Sequence, residues 1–378
     1  IVFGSLVAAG LPVIMGAFSI IITSALIYLL TQFTDISIFV LNIATLLGLG
    51  VAIDYSLLIV NRFREELQKS EVNNAMATTM STAGKSILFS AITSLLGLSG
   101  LLLFDFMMLR SLGIGGVTVM FLSLIVAMTL LPATIAVLGH KVNSLRVFPT
   151  VRGINSFWHG LANWVMKHPL PIIVLLTIFL AVLGSPFLNV KLGAPWASIL
   201  PENIESRQGF DLLNEEIGPG EGAPIIVVYH SPTNVMSSEN IATMHSFVQD
   251  ISDDPNISRV ESIFSILPDL SLKEYQDRFA DGTEGETPQT KALLDTMVKQ
   301  NATYIKIVSR YEIMEDETKD LVKKIRSIPA KGDLEKHVTG GTADIMDSIE
   351  MIYKSFPIVI AYVLITIYLA LFWLFKSV

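Results

Sequence analysis

Six apolar stretches constrain this chain more than anything else in it: residues 12–30, 37–60, 86–104, 112–138, 169–187 and 356–375. A bilayer core takes about 20 residues of helix to cross. Inside it no water satisfies backbone N–H and C=O groups, so segments of this kind must be helical. The reading is therefore a polytopic membrane bundle. Pro132, lacking an N–H and clashing with the preceding turn, should kink or end the fourth span near its inner end.

Charge separates the chain into two compartments. Only 16% of residues are charged, against about 25% in soluble domains. Between the fifth and sixth spans, residues 188–350 hold 28 of the 34 acids and 15 of the 26 Lys and Arg, a net −13, with +5 left for the remainder. An acidic soluble domain beside a basic membrane part argues against a nucleic-acid partner. Cysteine is absent, which excludes disulfides and thiolate metal sites. No two of the six histidines form an HxxxH or HExxH pair, so no metal or other cofactor is expected. Residues 1–9 read as the remnant of a preceding span rather than a signal peptide, which would carry a basic start and a cleavage site. The chain is accordingly expected to be a fragment.

Loop charge orients the spans, because Lys and Arg concentrate on the cytoplasmic side. Arg62, Arg64, Lys69 and Lys85 follow the second span; Lys141, Arg146, Arg152 and Lys167 follow the fourth, with no acid among them. The alternate connections, 31–36 and 105–111, carry two acids and one Arg. Both basic loops are thus expected inside and the acidic domain outside, in a bacterial-type inner membrane. Residues 139–168 form the inner linker. Within it Ile154, Phe157, Trp158, Leu161 and Val165 recur at helical spacing opposite Asn155, Ser156, His159 and Asn163. That pattern suits an amphipathic helix lying along the membrane surface, or else an ordinary helix packed on protein.

The outer domain, 188–350, reads as α+β. Strands are expected at 223–229, 259–263, 302–309 and 335–339, helices at 238–251 and 314–327, and a polar helical insertion at 267–300 with a loop tip at 280–288. The order β-α-β, insertion, β-α-β is that of a ferredoxin-like sandwich. From residue 342 a helical pattern runs into the last span. No nucleophile–base constellation appears, so an enzyme is not expected. Gly84–Lys85–Ser86 resembles the end of a phosphate loop, but Thr79 stands where the upstream glycine is required.

One residue is out of place. Asp54 lies inside the apolar run 46–60, seven residues before Asn61, or about 10 Å of helix from the interface. A mid-helix Asp costs about 2.5–3.5 kcal/mol to insert. Such acids face bundle interiors and mark proton or ion paths, although a structural acid hydrogen-bonded to a neighbour is the alternative. Tyr55 follows it. Gly50, one turn earlier on the same face, and Gly48 leave room for a neighbouring helix. Ser86, Ser90, Thr93 and Ser94 form a hydroxyl stripe in the third span that either completes a relay or packs between helices.

Taken together, residues 2–12 (VFGSLVAAGLP), 48–55 (GLGVAIDY), 62–66 (RFREE), 109–115 (LRSLGIG) and 130–133 (LLPA) resemble the MMPL branch of the RND transporter superfamily. So do 200–201 (LP), 205–209 (ESRQG), 218–220 (GPG) and 340–344 (GGTAD) in the outer domain. The resemblance covers the whole length. It implies an RND-type bundle with an extracytoplasmic ferredoxin-like porter domain. Domains follow as spans to 138, linker 139–168, span 169–187, porter domain 188–350 and span 351–378. It further implies a proton relay of Asp54 and Tyr55, with Ser90 as the touching hydroxyl. A second Asp–Tyr pair would lie in the other half of the transporter, beyond this chain. The implied activity is proton-driven export of lipids or other amphiphiles. Sensing of lipid or sterol is the alternative within the superfamily, and sodium in place of protons stays open.

Overall fold

A computed structural model describes residues 5–145, 154–186, 197–280 and 288–375. Arg146, Arg152 and most of the 280–288 loop tip lie outside them. The chain divides into two units, Ile1–Val190 with Met351–Val378, and Lys191–Glu350.

The first unit is helical. Its elements are α1 (Leu6–Leu30), α2 (Val40–Glu66), α3 (Val72–Thr79), α4 (Lys85–Ser99), α5 (Met107–Ile125), α6 (Leu131–Leu138), α7 (Ile154–Lys167), α8 (Pro169–Gly184) and the end of α15 (Gly341–Phe375). Five helical runs among the described residues are long and apolar enough to cross a membrane, and the α7–α8 pair, bent by 94°, makes a sixth if counted as one. α1 packs on α2, and α5 packs on α1, α2 and α4. α1 buries one stripe only. In α1 that stripe is Ala8, Leu11, Met15, Ser19, Thr23 and Ile27, while Val13, Ile14, Ile21 and Tyr28 point outward. Apolar side chains on the outside suit lipid, not water.

Glycines bring the helices together. A Cβ on Gly16 would meet Leu49 Cδ1 at 2.8 Å, and one on Gly48 would meet Val119 Cγ2 at 2.8 Å. Small residues let backbones approach in just this way.

Three expectations need correction here. Residues 6–9 are no remnant of an earlier span: they are the first turn of α1, which runs unbroken through Pro12 and is capped by Ser5. Ser5 Oγ also donates to the carbonyls of Val142 (2.8 Å) and Ser144 (2.7 Å), anchoring that end. The third span begins well before residue 86, because α3 passes through a π-turn at Met80–Gly84 directly into α4. Gly84–Lys85–Ser86 is therefore continuous helix and no phosphate loop. Pro132 does not end its span, which continues to Asn143. It sits in the first turn of α6 after a π-turn at Val126–Leu130, where the altered ladder accommodates the missing N–H.

The basic segments share one end of this unit. Arg64 Nε donates to Asn143 Oδ1 at 2.6 Å, tying the end of α2 to the turn after α6.

The second unit is a four-stranded antiparallel sheet ordered β2-β3-β1-β4, from β1 (Ile225–His230), β2 (Ile257–Glu261), β3 (Ala302–Ser309) and β4 (Glu335–Thr339). Two helices cover one face: α10 (Ser238–Ser252) buries Ile241, Met244, Phe247 and Ile251, and α14 (Asp316–Ser327) buries Leu321, Val322 and Ile325. They meet the inward-facing residues Ile225, Val227, Tyr229, Ile305 and Ile307. α9 (Glu205–Glu216) precedes the sheet, and the insertion comprises α11 (Ile263–Ile266), α12 (Leu272–Phe279) and α13 (Pro288–Met297). β2 starts two residues earlier than the alternation predicts, because Ser262 caps α11 and stops the strand. Within the insertion Tyr275, its hydroxyl pushed up to about 12 by desolvation, donates to Leu267 O at 2.7 Å. α15 starts in this unit, where Arg326 grips Asp347 through two bonds of 2.6 and 2.7 Å.

Candidate functional site

Asp54 sits midway along α2, whose opposite side carries Ala44, Gly48, Ala52 and Tyr55 into the bundle. Its own side chain faces outward. So does Gly50: no atom among the described residues lies within 4 Å of where its Cβ would stand. The close approach expected at Gly50 is thus not made there. Gly48 makes it instead, against Val119 of α5 and Ile20 of α1, because only that face of α2 points at the packed helices.

Tyr55 turns inward, 4% exposed, and its hydroxyl donates to Met120 Sδ at 3.4 Å. Ser90 of α4 stands beside the same hydroxyl, and Asp54 lies close enough to act on it electrostatically. The structure thus sets Ser90 beside the Tyr55 hydroxyl, while the Asp54 side chain points away from the bundle. The rest of the hydroxyl stripe divides differently. Ser86 bonds the carbonyl of Thr82 (3.3 Å), and Thr93 those of Phe89 (3.2 Å) and Ser90 (2.9 Å), so both close onto their own helix.

Sequence reasoning missed other polar groups in the bundle interior. Met120 supplies a soft acceptor in the bundle interior. Ser19 and Ser123, both fully buried, share a 2.6 Å bond between α1 and α5. Thr23 and Ser56 are also fully buried, and their hydroxyls have no partner. Isolated hydroxyls recurring on the small-residue stripe of α1 were the available signal.

The arrangement can hold a proton. Asp54 and Tyr55 supply a carboxylate and a phenol from neighbouring positions of an apolar span, Ser90 adds a hydroxyl beside that phenol, and each can give or accept one.

Comparison with known proteins agrees in kind. Residues 1–172 match the model of the MMPL family. The chain is 31% identical over 268 residues to the mycolic acid-containing lipids exporter MmpL11 of Mycolicibacterium smegmatis, covering 69% of this chain and 28% of the relative. It is 27% identical over 376 residues to membrane protein YdfJ of Bacillus subtilis, covering 97% of this chain and 47% of that one. The chain thus spans less than half the length of either relative. Among solved structures, the hedgehog release protein Disp from the water bear Hypsibius dujardini shares the fold, with a TM-score of 0.60 at 14% identity, over 98% of this chain and 53% of Disp. The family match over residues 1–172 and this set of relatives give one assignment: the chain belongs to the MMPL family of RND transporters.

Proposed function

We propose that this chain is part of a proton-motive-force-driven exporter of lipids or other amphiphilic compounds in a bacterial inner membrane. The observation that carries the reading is Asp54 in mid-span, followed by Tyr55, whose hydroxyl has Ser90 beside it. An acid in such a place is expensive to insert and marks a proton or ion path. Loading and unloading Asp54 as its access alternates would couple proton flow to movement of the substrate. The second unit is read as a ferredoxin-like porter domain outside the membrane: its β2-β3-β1-β4 order, with α10 and α14 on one face, supports this. The clustering of Arg64 and the 139–145 turn at one end supports a cytoplasmic placement for that end. A matching Asp–Tyr pair is assigned to the other half of the transporter.

The substrate class rests on the relative named as an exporter of mycolic acid-containing lipids. The fold shared with Disp favours no substrate but keeps a lipid- or sterol-responsive receptor as a second reading. Transport of a labelled lipid by the whole transporter in proteoliposomes separates them. An imposed proton gradient is expected to drive it. Transport driven by a sodium gradient alone would overturn the proton assignment, and no transport under either would favour the receptor.

A further inference from the structure

Two neighbouring spans leave the α-helical ladder at one level. The third does so at Met80–Gly84 and the fourth at Val126–Leu130. The two wide turns touch: a Cβ on Gly84 would meet Met80 Cε at 3.2 Å and Met128 Cε at 3.7 Å. A π-turn accommodates one extra residue and is a place where a helix bends or shifts. One such turn is a local irregularity. Two in contact divide both spans into the same two layers, with α3 packed on α6 toward the basic end and α4 packed on α5 beyond it.

Side chains equip both turns to change width. Just before the first, the Thr78 carbonyl accepts from Ser81 Oγ at 2.9 Å and from Thr82 Oγ1 at 2.8 Å. Just before the second, the Ile125 carbonyl accepts from Thr129 Oγ1 at 2.6 Å. A hydroxyl that bonds back onto its own helix competes with a backbone N–H for the same carbonyl. The ladder can thus exchange one donor for the other without leaving an acceptor bare in an apolar span, where no water would satisfy it. The side chains at the contact, Met80 and Met128, are unbranched thioethers whose packing adapts to a shift.

The layer of α3 and α6 is also tied to the end of α2. Arg62 Nε donates to Thr82 Oγ1 at 3.3 Å, inside the first turn, and Arg64 Nε to Asn143 Oδ1 at 2.6 Å, beyond α6. Both ties run through long, jointed side chains, so they can stay made while the layer shifts. We propose that the paired π-turns are a joint: α3 and α6 move as one body against α4 and α5 when the transporter changes conformation, with Arg62 and Arg64 linking that body to α2. The joint depends on neither the driving ion nor the cargo.

The chain contains no cysteine, so pairs of nitroxide labels can be placed in the whole transporter, cleared of any other thiol and held in nanodiscs. Asn74→Cys with Val137→Cys joins α3 to α6, and Asn74→Cys with Phe121→Cys crosses the joint; all three positions are exposed. By double electron–electron resonance the first pair is expected to give one narrow distance distribution, and the second a broad or two-peaked one. Ser81 is exposed and its hydroxyl bonds its own helix, so deleting it removes the extra residue of the first turn and little else. The deletion should narrow the second distribution to one peak and slow lipid transport by about tenfold or more, whereas Ser81→Ala should transport like the parent. A narrow second distribution in the parent, a first distribution as broad as the second, or a folded deletion variant that transports at the parent rate would each overturn the joint. Should the deletion variant fail to fold, the two parental distributions decide. A parent that moves no lipid overturns the export reading alone, because the distances are read without transport.

Discussion

In the proposed relay the chemistry rests on one side chain, Asp54, and its neighbours can be tested one by one. Tyr55 presents its phenol to Met120 and Ser90 from a buried position. Tyr55→Phe keeps the ring packing and removes the hydroxyl. Transport rate should fall about hundredfold if that hydroxyl passes protons, with expression and thermal stability unchanged; a rate within twofold of the parent would remove Tyr55 from the relay. Gly48 has a structural part instead. Adding a side chain there meets Val119 at 2.8 Å, so Gly48→Val should destabilise the bundle by about 1–3 kcal/mol, seen as a lower melting temperature in detergent. The sequence marked Asp54 because an acid in an apolar run has few explanations, Tyr55 because it follows it, and Ser90 only through the family resemblance. It did not say which glycine makes the contact. Gly48 and Gly50 both lie in the run, and only the direction of α2 against α5 separates them.

Among the elements, legibility follows how local the cause is. β3 and β4 lie at the predicted residues because two-residue alternation is written into their side chains. β2 was misplaced by two, since its end depends on the Ser262 cap. α3 was hidden because its polar face resembles a loop until it is seen to flow through a π-turn into α4. The long apolar helices needed no tertiary context. Caps and ion pairs make the second unit testable. Ser271 and Glu274 cap the start of α12 reciprocally, so Ser271→Ala should cost about 1 kcal/mol, measured by hydrogen exchange of that helix. Asp254 joins the end of α10 to Lys324 of α14 at 2.5 Å. Desolvation pushes its pKa up, but the bonds from Lys324 and the Asn256 N–H hold it below the ordinary 3.8. Its stabilisation is therefore complete above that value and is lost as pH falls through the lower folded one. Lys324 is half exposed, so the ion pair contributes about 0.5–1 kcal/mol. Asp254→Asn should lower stability by that amount at pH 7 and by almost nothing in strong acid, measured by limited proteolysis of the second unit.

For the whole molecule, the claim is that the two units serve one proton-driven cycle, a membrane unit that carries the proton and an acidic unit that handles an amphiphile. The membrane character was legible in the sequence from span length alone, and family membership from motifs spread through both units. The substrate was not legible, because pocket shape depends on side chains brought together by folding and on protein beyond this chain's share of its relatives. Swapping the driving ion and the Tyr55 variant each test part of the cycle. The most direct test replaces the carboxyl alone. Asp54→Asn in the whole transporter, reconstituted beside the parent under an imposed proton gradient, is predicted to insert and fold normally while lipid transport and the accompanying proton flux both vanish. A variant that still moves lipid in response to the proton gradient would contradict the account.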